Sequence, residues 1–460
     1  MELETLSAMK IELNREFIEQ LTQLIAQKAD SEIIQAIGSL HPADIAEIME
    51  QLDLDESQYL FLLLDGELAA DVLVEIPEND WNSYLKLLPP DTIAHRFIEY
   101  LESDDAADVM AELDEDLQDE VLQQMEDKEQ AGDIADLLEY DEDTAGGIMA
   151  TELVAVNENW TVQTCLKEIS IQAEDIDEIY YVYVVDDKNF LKGVLSLKKL
   201  IMKPTHTPIK SLVTEDAHFV RTDASQEEVA QIMEKYDLVA LPVVDQIGRL
   251  KGRITIDDVV DIIREEADKD YQMASGISGD VDAGDNVFQR AWTRIPWLFI
   301  GMCGGIVGAG VLGSHSSQLT QIPAMAFFIP LIAAMAGNVG VQSSSIIVQS
   351  IASGNRNFDS VGRKLVKELS VAFSTALLFS ILIFLYNFFF SGNMGLTYSV
   401  SITLFVVMIF ASLFGTVIPL ILNKLKIDPA VATGPFITTT NDILGLIIYM
   451  TVARMFFEVL

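Results

Sequence analysis

The sequence contains very few cysteines and histidines. Its 460 residues include two cysteines, Cys165 and Cys303, and five histidines. The cysteines lie far apart, so we expect neither a disulfide framework nor a zinc site, and a reducing compartment suits them. The N-terminal stretch MELETLSAMKIELNREF lacks the apolar core of a signal peptide, so we expect the first membrane span to direct insertion. No phosphate-binding loop, nucleophile elbow or metal-ligating histidine pair occurs, so the sequence indicates no class of enzyme.

Positive charge is scarce in the region 1–285. It holds 20 basic and 67 acidic residues, a net charge of −47, whereas the region 286–460 holds nine basic and five acidic residues, a net charge of +4. A surface this acidic repels nucleic acid and anionic lipid and attracts cations. We therefore expect a divalent cation as partner, and no nucleic acid.

The region 1–142 carries apolar residues at helical spacing, and a short acidic motif recurs in it. Ile33 and Ile37 belong to one such apolar face. The motif reads PADIAEIMEQL, AADVLVEI, AADVMAEL and AGDIADLL, starting at residues 42, 69, 106 and 131. Repeats of this length predict stacked helix pairs, so we expect an acidic, all-α superhelical domain. Asp104 and Asp108 share one helix face, and Mg²⁺ prefers such carboxylate oxygens.

A duplicated module follows, with copies at 143–210 and 211–270. The triplets VVD and LKG recur with one constant offset, at 184–186 and 191–193 and again at 243–245 and 250–252. Each copy contains a strand, a helix, a hairpin and a helix, which predicts a tandem α/β pair. The module resembles a pair of CBS domains.

The CBS resemblance bears on nucleotide binding. In that family the ending G-x-x-[ST]-x-x-D places a hydroxyl and a carboxylate near the ribose of an adenine nucleotide. The second copy fits with Gly252, Thr255 and Asp258, whereas the first has Ser196 but Lys199 in place of the acid. The resemblance implies ATP at the second copy, through Thr255 and Asp258. A folded regulatory pair that binds no nucleotide is the alternative.

The region 294–460 contains five apolar stretches long enough to cross a bilayer, which takes roughly 20 residues. They span 295–313, 322–351, 369–390, 398–422 and 430–457, and a linking helix region is expected at 271–293. Lys and Arg precede the first stretch and occupy the loops after the second and fourth stretches, while the other two loops have none. This asymmetry predicts a multi-pass α-helical domain in the lipid of the inner cell membrane, with a cytoplasmic N-terminus and the C-terminus outside.

Two of these spans are too polar to face lipid along their whole length. The fifth holds Asp442, and an ionised Asp in the middle of a membrane helix costs about 2.5–3.5 kcal/mol. Pro435 lacks an N–H and is expected to free a carbonyl one turn back. The second span holds Asn338 and Gln342, four positions apart. We expect both spans to line a pore; close helix packing is the alternative use of their small residues.

Four motifs make the chain resemble the MgtE family of magnesium channels and transporters over nearly its whole length. They are PADIAEIME at 42–50, EDTAGGIM at 142–149, GNVGVQS at 337–343 and GPFITTTNDILG at 434–445. The resemblance implies a homodimer whose second and fifth spans line one Mg²⁺ pore. Asp442 falls on the selectivity carboxylate, and backbone carbonyls at Thr438 and Gly445 are expected to assist it.

The resemblance also implies that cytosolic carboxylates bind Mg²⁺ and close the pore when the cell is replete. The implied sensor residues are Asp104, Asp108, Glu227, Asp237, Asp258, Asp261, Glu266 and Asp270. Ser225 departs from the family pattern, which has an acid there. With little Mg²⁺ the acidic segments are expected to repel one another and stay loose, and bound Mg²⁺ shifts the population toward the closed form.

Two other classes of function remain open from the sequence. A proton- or sodium-coupled divalent-cation carrier would use Asp442 as its coupling site, but such carriers often contain internal repeats in the membrane region, and we find none. A membrane-tethered cation sensor would have no need of polar spans. Dependence of the flux on a proton gradient would favour the carrier.

Overall fold

The structure is a computed structural model that describes residues 15–86, 88–173, 176, 178–214, 217–277, 287–352, 361–390, 393–432 and 434–459. The chain separates into two compact units, Met1–Ile263 and Arg264–Leu460. Residues 278–286 of the expected linking helix region lie outside the described residues. Each unit is described by itself.

The N-terminal part of the first unit is helical throughout its described residues. Its helices are α1 (Arg15–Gln27), α2 (Asp30–Ile37), α3 (Pro42–Glu50), α4 (Leu54–Leu63), α5 (Gly66–Val74), α6 (Glu78–Leu85), α7 (Pro90–Arg96), α8 (Ser103–Ala111), α9 (Glu115–Gln124) and α10 (Lys128–Leu137). The apolar positions of the repeats form one core, in which Ile33, Ile37 and Ile45 are fully buried. The predicted all-α domain is therefore confirmed. Aspartate side chains begin several helices; Asp65 Oδ1, for example, accepts a hydrogen bond from the Leu68 N–H at 3.1 Å.

The rest of the first unit contains two small three-stranded sheets. Its elements are β1 (Val154–Asn157), α11 (Val162–Gln172), β2 (Val182–Val185), β3 (Leu191–Leu195), α12 (Leu197–Ile201), β4 (Val220–Arg221), α13 (Gln226–Tyr236), β5 (Ala240–Val244), β6 (Leu250–Thr255) and α14 (Ile256–Ala274), which continues into the second unit. In each sheet a parallel pair is followed by an antiparallel pair. Val184 pairs with Gly193 in one sheet and Val243 with Gly252 in the other, so the sequence repeat is reproduced strand for strand.

The second unit contains five helices that are long and apolar enough to cross a membrane. They are α15 (Val287–Ser314), α17 (Ile329–Ala352), α18 (Val361–Phe390), α19 (Met394–Lys424) and α20 (Gly434–Val459), and the short helix α16 (Ser316–Gln321) follows α15. The five predicted spans are thereby confirmed, although α15 begins earlier and α20 later than the apolar stretches indicated. α19 is the most buried of the five along its length, so it forms the centre of the bundle.

Helices α17, α19 and α20 meet at a contact made by glycines. A Cβ on Gly415 of α19 would lie 2.4 Å from the Gly340 carbonyl oxygen of α17, and a Cβ on Gly340 would lie 1.8 Å from Asn441 Nδ2 of α20. The absence of side chains therefore lets the three backbones approach closely, as small residues do in membrane bundles. This contact positions α20 against α17.

Gly415→Ala is expected to lower the thermal stability of the purified protein, because the new methyl group meets backbone that has no room to move. Overpacking of this kind costs about 1–3 kcal/mol. Gly310→Ala on α15 is the matched control, since a Cβ there meets nothing within 4 Å among the described atoms. Equal melting temperatures for the two variants would contradict the proposed packing role of Gly415.

Candidate functional site

Helix α20 carries the membrane carboxylate and begins at a tight turn. Gly434 has a φ of +53°, and a Cβ there would lie 2.3 Å from the Ala274 carbonyl oxygen, so the turn requires glycine. Pro435 follows in the first turn of α20, where a missing N–H breaks no helical hydrogen bond. The expectation that Pro435 frees a carbonyl inside the span is therefore wrong, because the helix starts at this point.

Asp442 and Thr438 lie one turn apart on α20, and both face Gly337 of α17. A Cβ on Gly337 would lie 3.3 Å from Asp442 Oδ1 and 3.1 Å from Thr438 Cγ2. The Thr438 hydroxyl donates to the Gly434 carbonyl at 2.9 Å. Asp442 itself is partly exposed, and no donor in the described part of the chain hydrogen-bonds its carboxylate. Its oxygens remain available to a cation.

The other predicted pore residues occupy different surroundings. Asn338 and Gln342 lie on one face of α17 and are exposed in the protomer. Gly445 faces the protomer interior, where a Cβ would lie 3.2 Å from the Ala336 Cβ and 3.5 Å from a Val407 methyl. The structure thus brings Thr438 and Asp442 together beside α17 and leaves the side chains of Asn338 and Gln342 open to a partner or a pore.

Sequence reasoning did not single out the side chain of Asn441. It is 1% exposed, and neither its amide nitrogen nor its oxygen has a hydrogen-bond partner among the described residues. It packs against Gly340 on the side of α20 next to Asp442. The sequence shows a run of polar residues, TTTND, in this helix, but it does not show which of them is buried.

In the first unit several carboxylates lie together at α8. Asp104 is 8% exposed, and Asp105 and Asp108 are partly buried beside it. Asp258 of α14 and Glu102, which precedes α8, are close enough to perturb their ionisation. We call Glu102, Asp104, Asp105, Asp108 and Asp258 the α8 cluster. Asp104, Asp108 and Asp258 were predicted as a set; Glu102 and Asp105 were not.

Burial and mutual repulsion hold protons on these carboxyl groups. Burial, followed by Asp105 and Asp258, raises the pKa of Asp104 well above its usual range. Burial, then Asp258 and Glu102, raises the pKa of Asp105 to about 7. Burial, then Glu78 and Asp105, raises the pKa of Asp108 to about 8. Each shift means that the folded protein disfavours the negative charge unless a cation offsets it.

The remaining predicted sensor residues do not join the α8 cluster. Glu227 and Asp237 lie at the two ends of α13, and both are exposed, as is Asp261 of α14. Glu266 pairs with Lys269 at 3.3 Å in the second unit. Burial, then Asp428 and Glu266, raises the pKa of Asp270, so Asp428 is a neighbour that the sequence analysis missed.

The donor chemistry of the α8 cluster fits Mg²⁺. Carboxylate oxygens are the ligands that this ion prefers, and it usually keeps several waters while one or two carboxylates hold it. Among the described residues, no group of three or more Asp, Glu, His or Cys side chains is arranged to hold a metal ion, so any ion bound at the α8 cluster would have at most two protein ligands of these types.

The predicted nucleotide residues are held together at the end of β6. The Thr255 hydroxyl donates to Asp258 Oδ2 at 2.6 Å, and the Thr255 N–H donates to the same oxygen at 3.2 Å. The cleft beside β6, whose lining includes Ile179, Tyr183 and Arg253, has a cavity volume of about 0 Å³. Ligand pockets usually measure roughly 300–1,000 Å³, so this cleft is closed to a nucleotide in the structure.

The raised pKa values predict a pH-dependent stability. Because the folded state keeps protons that the unfolded chain releases above about pH 4, metal-free stability falls as the pH rises toward 8. In chelator, the melting temperature is expected to be lower at pH 8.5 than at pH 6. Asp108→Asn should reduce this difference, and the exposed control Asp119→Asn should not. An unchanged pH dependence in Asp108→Asn would contradict the assignment.

Comparison with known proteins relates most of the chain to one family. Residues 329–452 match the MgtE family, described as a divalent cation transporter, residues 40–143 match the MgtE intracellular N domain, and residues 145–204 and 209–265 match the CBS domain. "Magnesium transporter MgtE" of Thermus thermophilus is 34% identical over 94% of this chain and 97% of its own, and the protein of that name from Bacillus subtilis is 31% identical over 86% and 96%.

The first unit is also similar to a solved structure. The cytosolic domain of the Mg²⁺ channel MgtE, solved in complex with ATP, is 35% identical, with a TM-score of 0.50 over 53% of this chain and 99% of that chain. Together with relatives that match nearly end to end, these similarities show that the chain belongs to the MgtE family of magnesium transporters.

Proposed function

We propose that this protein is a Mg²⁺-selective channel for magnesium uptake and that two copies form its pore. The observation that carries the proposal is Asp442, a partly exposed carboxylate in an apolar helix, with no donor bonded to it among the described residues. A two-fold axis would place two such carboxylates around one path. A hydrated Mg²⁺ needs charge and hydrogen bonds rather than a full protein cage.

The proposed path runs between α17 and α20 of the two copies. Asp442 attracts the ion, and backbone carbonyls at Thr438 and Gly445 accept hydrogen bonds from its waters. Asn338 and Gln342, exposed on α17, offer further polar groups to the same path. The acidic soluble unit and the basic loops belong on the cytoplasmic side of the inner membrane, which puts the C-terminus outside.

We further propose that the soluble unit senses cytosolic Mg²⁺. Ions that neutralise the α8 cluster favour the form in which α8 and α14 lie together. Asp261, Glu266 and Asp270 of α14, together with Glu227 and Asp237 of α13, would supply further carboxylates. The closed channel binds more Mg²⁺ in this scheme, so a rise in cytosolic Mg²⁺ shifts the population toward it.

ATP is a proposed second ligand, at the cleft beside Thr255 and Asp258. Support comes from the solved relative in complex with ATP and from the sequence G-R-I-T-I-D-D at the end of β6. The cleft must open to admit a nucleotide, because its cavity volume is about 0 Å³ in the structure. Lys199 stands where a second ribose carboxylate would be, so one nucleotide per chain is expected.

Asp442→Asn is expected to reduce Mg²⁺ uptake by about tenfold or more, because the amide keeps the shape of the side chain and removes its charge. Growth of a magnesium-uptake-deficient bacterial strain and Mg²⁺ flux into liposomes both measure this effect. Glu368→Gln is the matched control, since it neutralises another carboxylate of the second unit, on α18. Wild-type uptake in Asp442→Asn would exclude the proposed role.

Asp104→Asn and Asp258→Asn are each expected to raise the cytosolic Mg²⁺ concentration that half-closes the channel, by about threefold to tenfold. The physical reason is that each change removes from the α8 cluster one carboxyl group that can ionise when a cation binds, and so weakens the attraction of the cluster for cations. Inside-out patch recordings over a range of bath Mg²⁺ measure the shift. Asp119→Asn, on the exposed face of α9, is the control. Inhibition curves that coincide with the wild type would refute sensing at the cluster.

A further inference from the structure

One buried arginine joins the second CBS copy to the helical domain. Arg253 lies on β6, and its side chain is 5% exposed. Its Nη2 donates to Glu102 Oε1 at 2.8 Å and to Oε2 at 3.0 Å. Its Nη1 donates to the Glu178 carbonyl at 2.9 Å. Burial of the guanidinium and hydrogen bonds from both of its terminal nitrogens leave it little freedom, although the Glu102 side chain is 34% exposed and the Arg253 Nε has no partner among the described residues.

Glu102, the partner of Arg253, is the residue immediately before α8. Its side chain makes no capping hydrogen bond to the helix. Glu152 takes part of that role: it accepts hydrogen bonds from the Ser103 N–H at 3.2 Å and from the Ser103 hydroxyl at 2.7 Å. The Thr151 N–H in turn donates to the Ser103 hydroxyl at 2.8 Å. The first turn of α8 is therefore fastened to the segment that leads into β1.

Acidic groups outnumber basic groups around this contact. Arg253 contributes one positive charge beside Glu102, Asp104 and Asp258. A guanidinium fixed in this position neutralises part of the cluster without any ion from solution, and its charge is permanent because arginine stays protonated in proteins. The carboxylates that remain are left for divalent cations.

We infer that Arg253 is a built-in counter-cation that holds α8 against the second CBS copy when no divalent ion is bound. Mg²⁺ then strengthens a contact that already exists instead of creating it. The expectation from charge alone, that the acidic segments stay loose at low Mg²⁺, is modified accordingly: the arginine sets a basal level of docking, and with it the Mg²⁺ concentration at which docking is complete. This last step rests on the proposed sensing function.

The test is hydrogen–deuterium exchange of the full chain in lipid nanodiscs, in EDTA, with no flux measurement. The amides of residues 106–111 in α8 are expected to exchange about tenfold or more faster in Arg253→Gln and in Glu102→Gln than in the wild type. The double variant should exchange no faster than either single variant, because both remove the same pair. Arg253→Lys, which keeps the charge but lacks the second nitrogen that donates to the Glu178 carbonyl, should fall between.

Arg249→Gln is the matched control, since it removes an exposed arginine of the same hairpin that lies over the Phe190 ring. It is expected to leave α8 protected. Amides of β5 report on the integrity of the sheet. If Arg253→Gln also loses protection in β5, Glu102→Gln decides, because it leaves β6 unaltered. Protection of α8 equal to the wild type in Glu102→Gln, or additive effects in the double variant, would overturn the inference.

Titration of Mg²⁺ in the same exchange experiment extends the test. Arg253→Gln should need at least about threefold more Mg²⁺ to restore the protection of α8. If the variants lose protection of α8 in EDTA and Mg²⁺ does not restore it, the Arg253–Glu102 contact is supported and sensing at the α8 cluster is not. If the variants keep wild-type protection in EDTA and Mg²⁺ still inhibits the current normally, sensing is supported and the role of Arg253 is not. The two proposals therefore fail separately.

Discussion

Carboxylates removed from water with too little fixed positive charge are the constraint on which the rest of this protein depends. Taking an ionised carboxylate out of water is costly unless a counter-charge is close. In the membrane unit this applies to Asp442, which no protein donor bonds among the described residues. In the soluble unit it applies to the α8 cluster, where Arg253 offsets only part of the charge. Under the proposed function, a cation from solution would offset the negative charge at both places.

Because the same kind of ion answers both deficits, cargo and signal can be one species. Under the proposed function, an ion that passed Asp442 would accumulate where the α8 cluster could bind it, and transport would then limit itself without a separate regulator. Mg²⁺ suits this arrangement, since it keeps its waters and binds weakly enough to single carboxylates to leave again. Gly337 lets α17 approach α20 closely at this point, because a Cβ there would lie only 3.3 Å from Asp442 Oδ1 and 3.1 Å from Thr438 Cγ2.

The sequence predicted the elements whose signal is local or repeated. The duplication of the α/β module followed from two triplets that recur with the same offset, and Val184–Gly193 and Val243–Gly252 pair as that offset requires. Long apolar runs predicted the five membrane helices. The break expected at Pro435 was wrong because the position of the helix start depends on the turn at Gly434, which packs against Ala274.

What the sequence did not predict depends on contacts between distant segments. Glu102 and Arg253 lie far apart in the chain, and nothing local marks them as partners. Nothing in the sequence separates Asp104 from the exposed carboxylates Glu227, Asp237 and Asp261. Asp104 is buried only because of how the helices pack. The burial of Asn441 arises in the same way, from the close approach of Gly340.

The most direct test of the account is the flux of Mg²⁺ through the wild-type protein in liposomes, with the Mg²⁺ on its cytosolic side varied and no proton or sodium gradient present. The account predicts passive Mg²⁺ entry that stops as cytosolic Mg²⁺ rises. Flux that requires a proton or sodium gradient, or flux that is indifferent to cytosolic Mg²⁺, would contradict it.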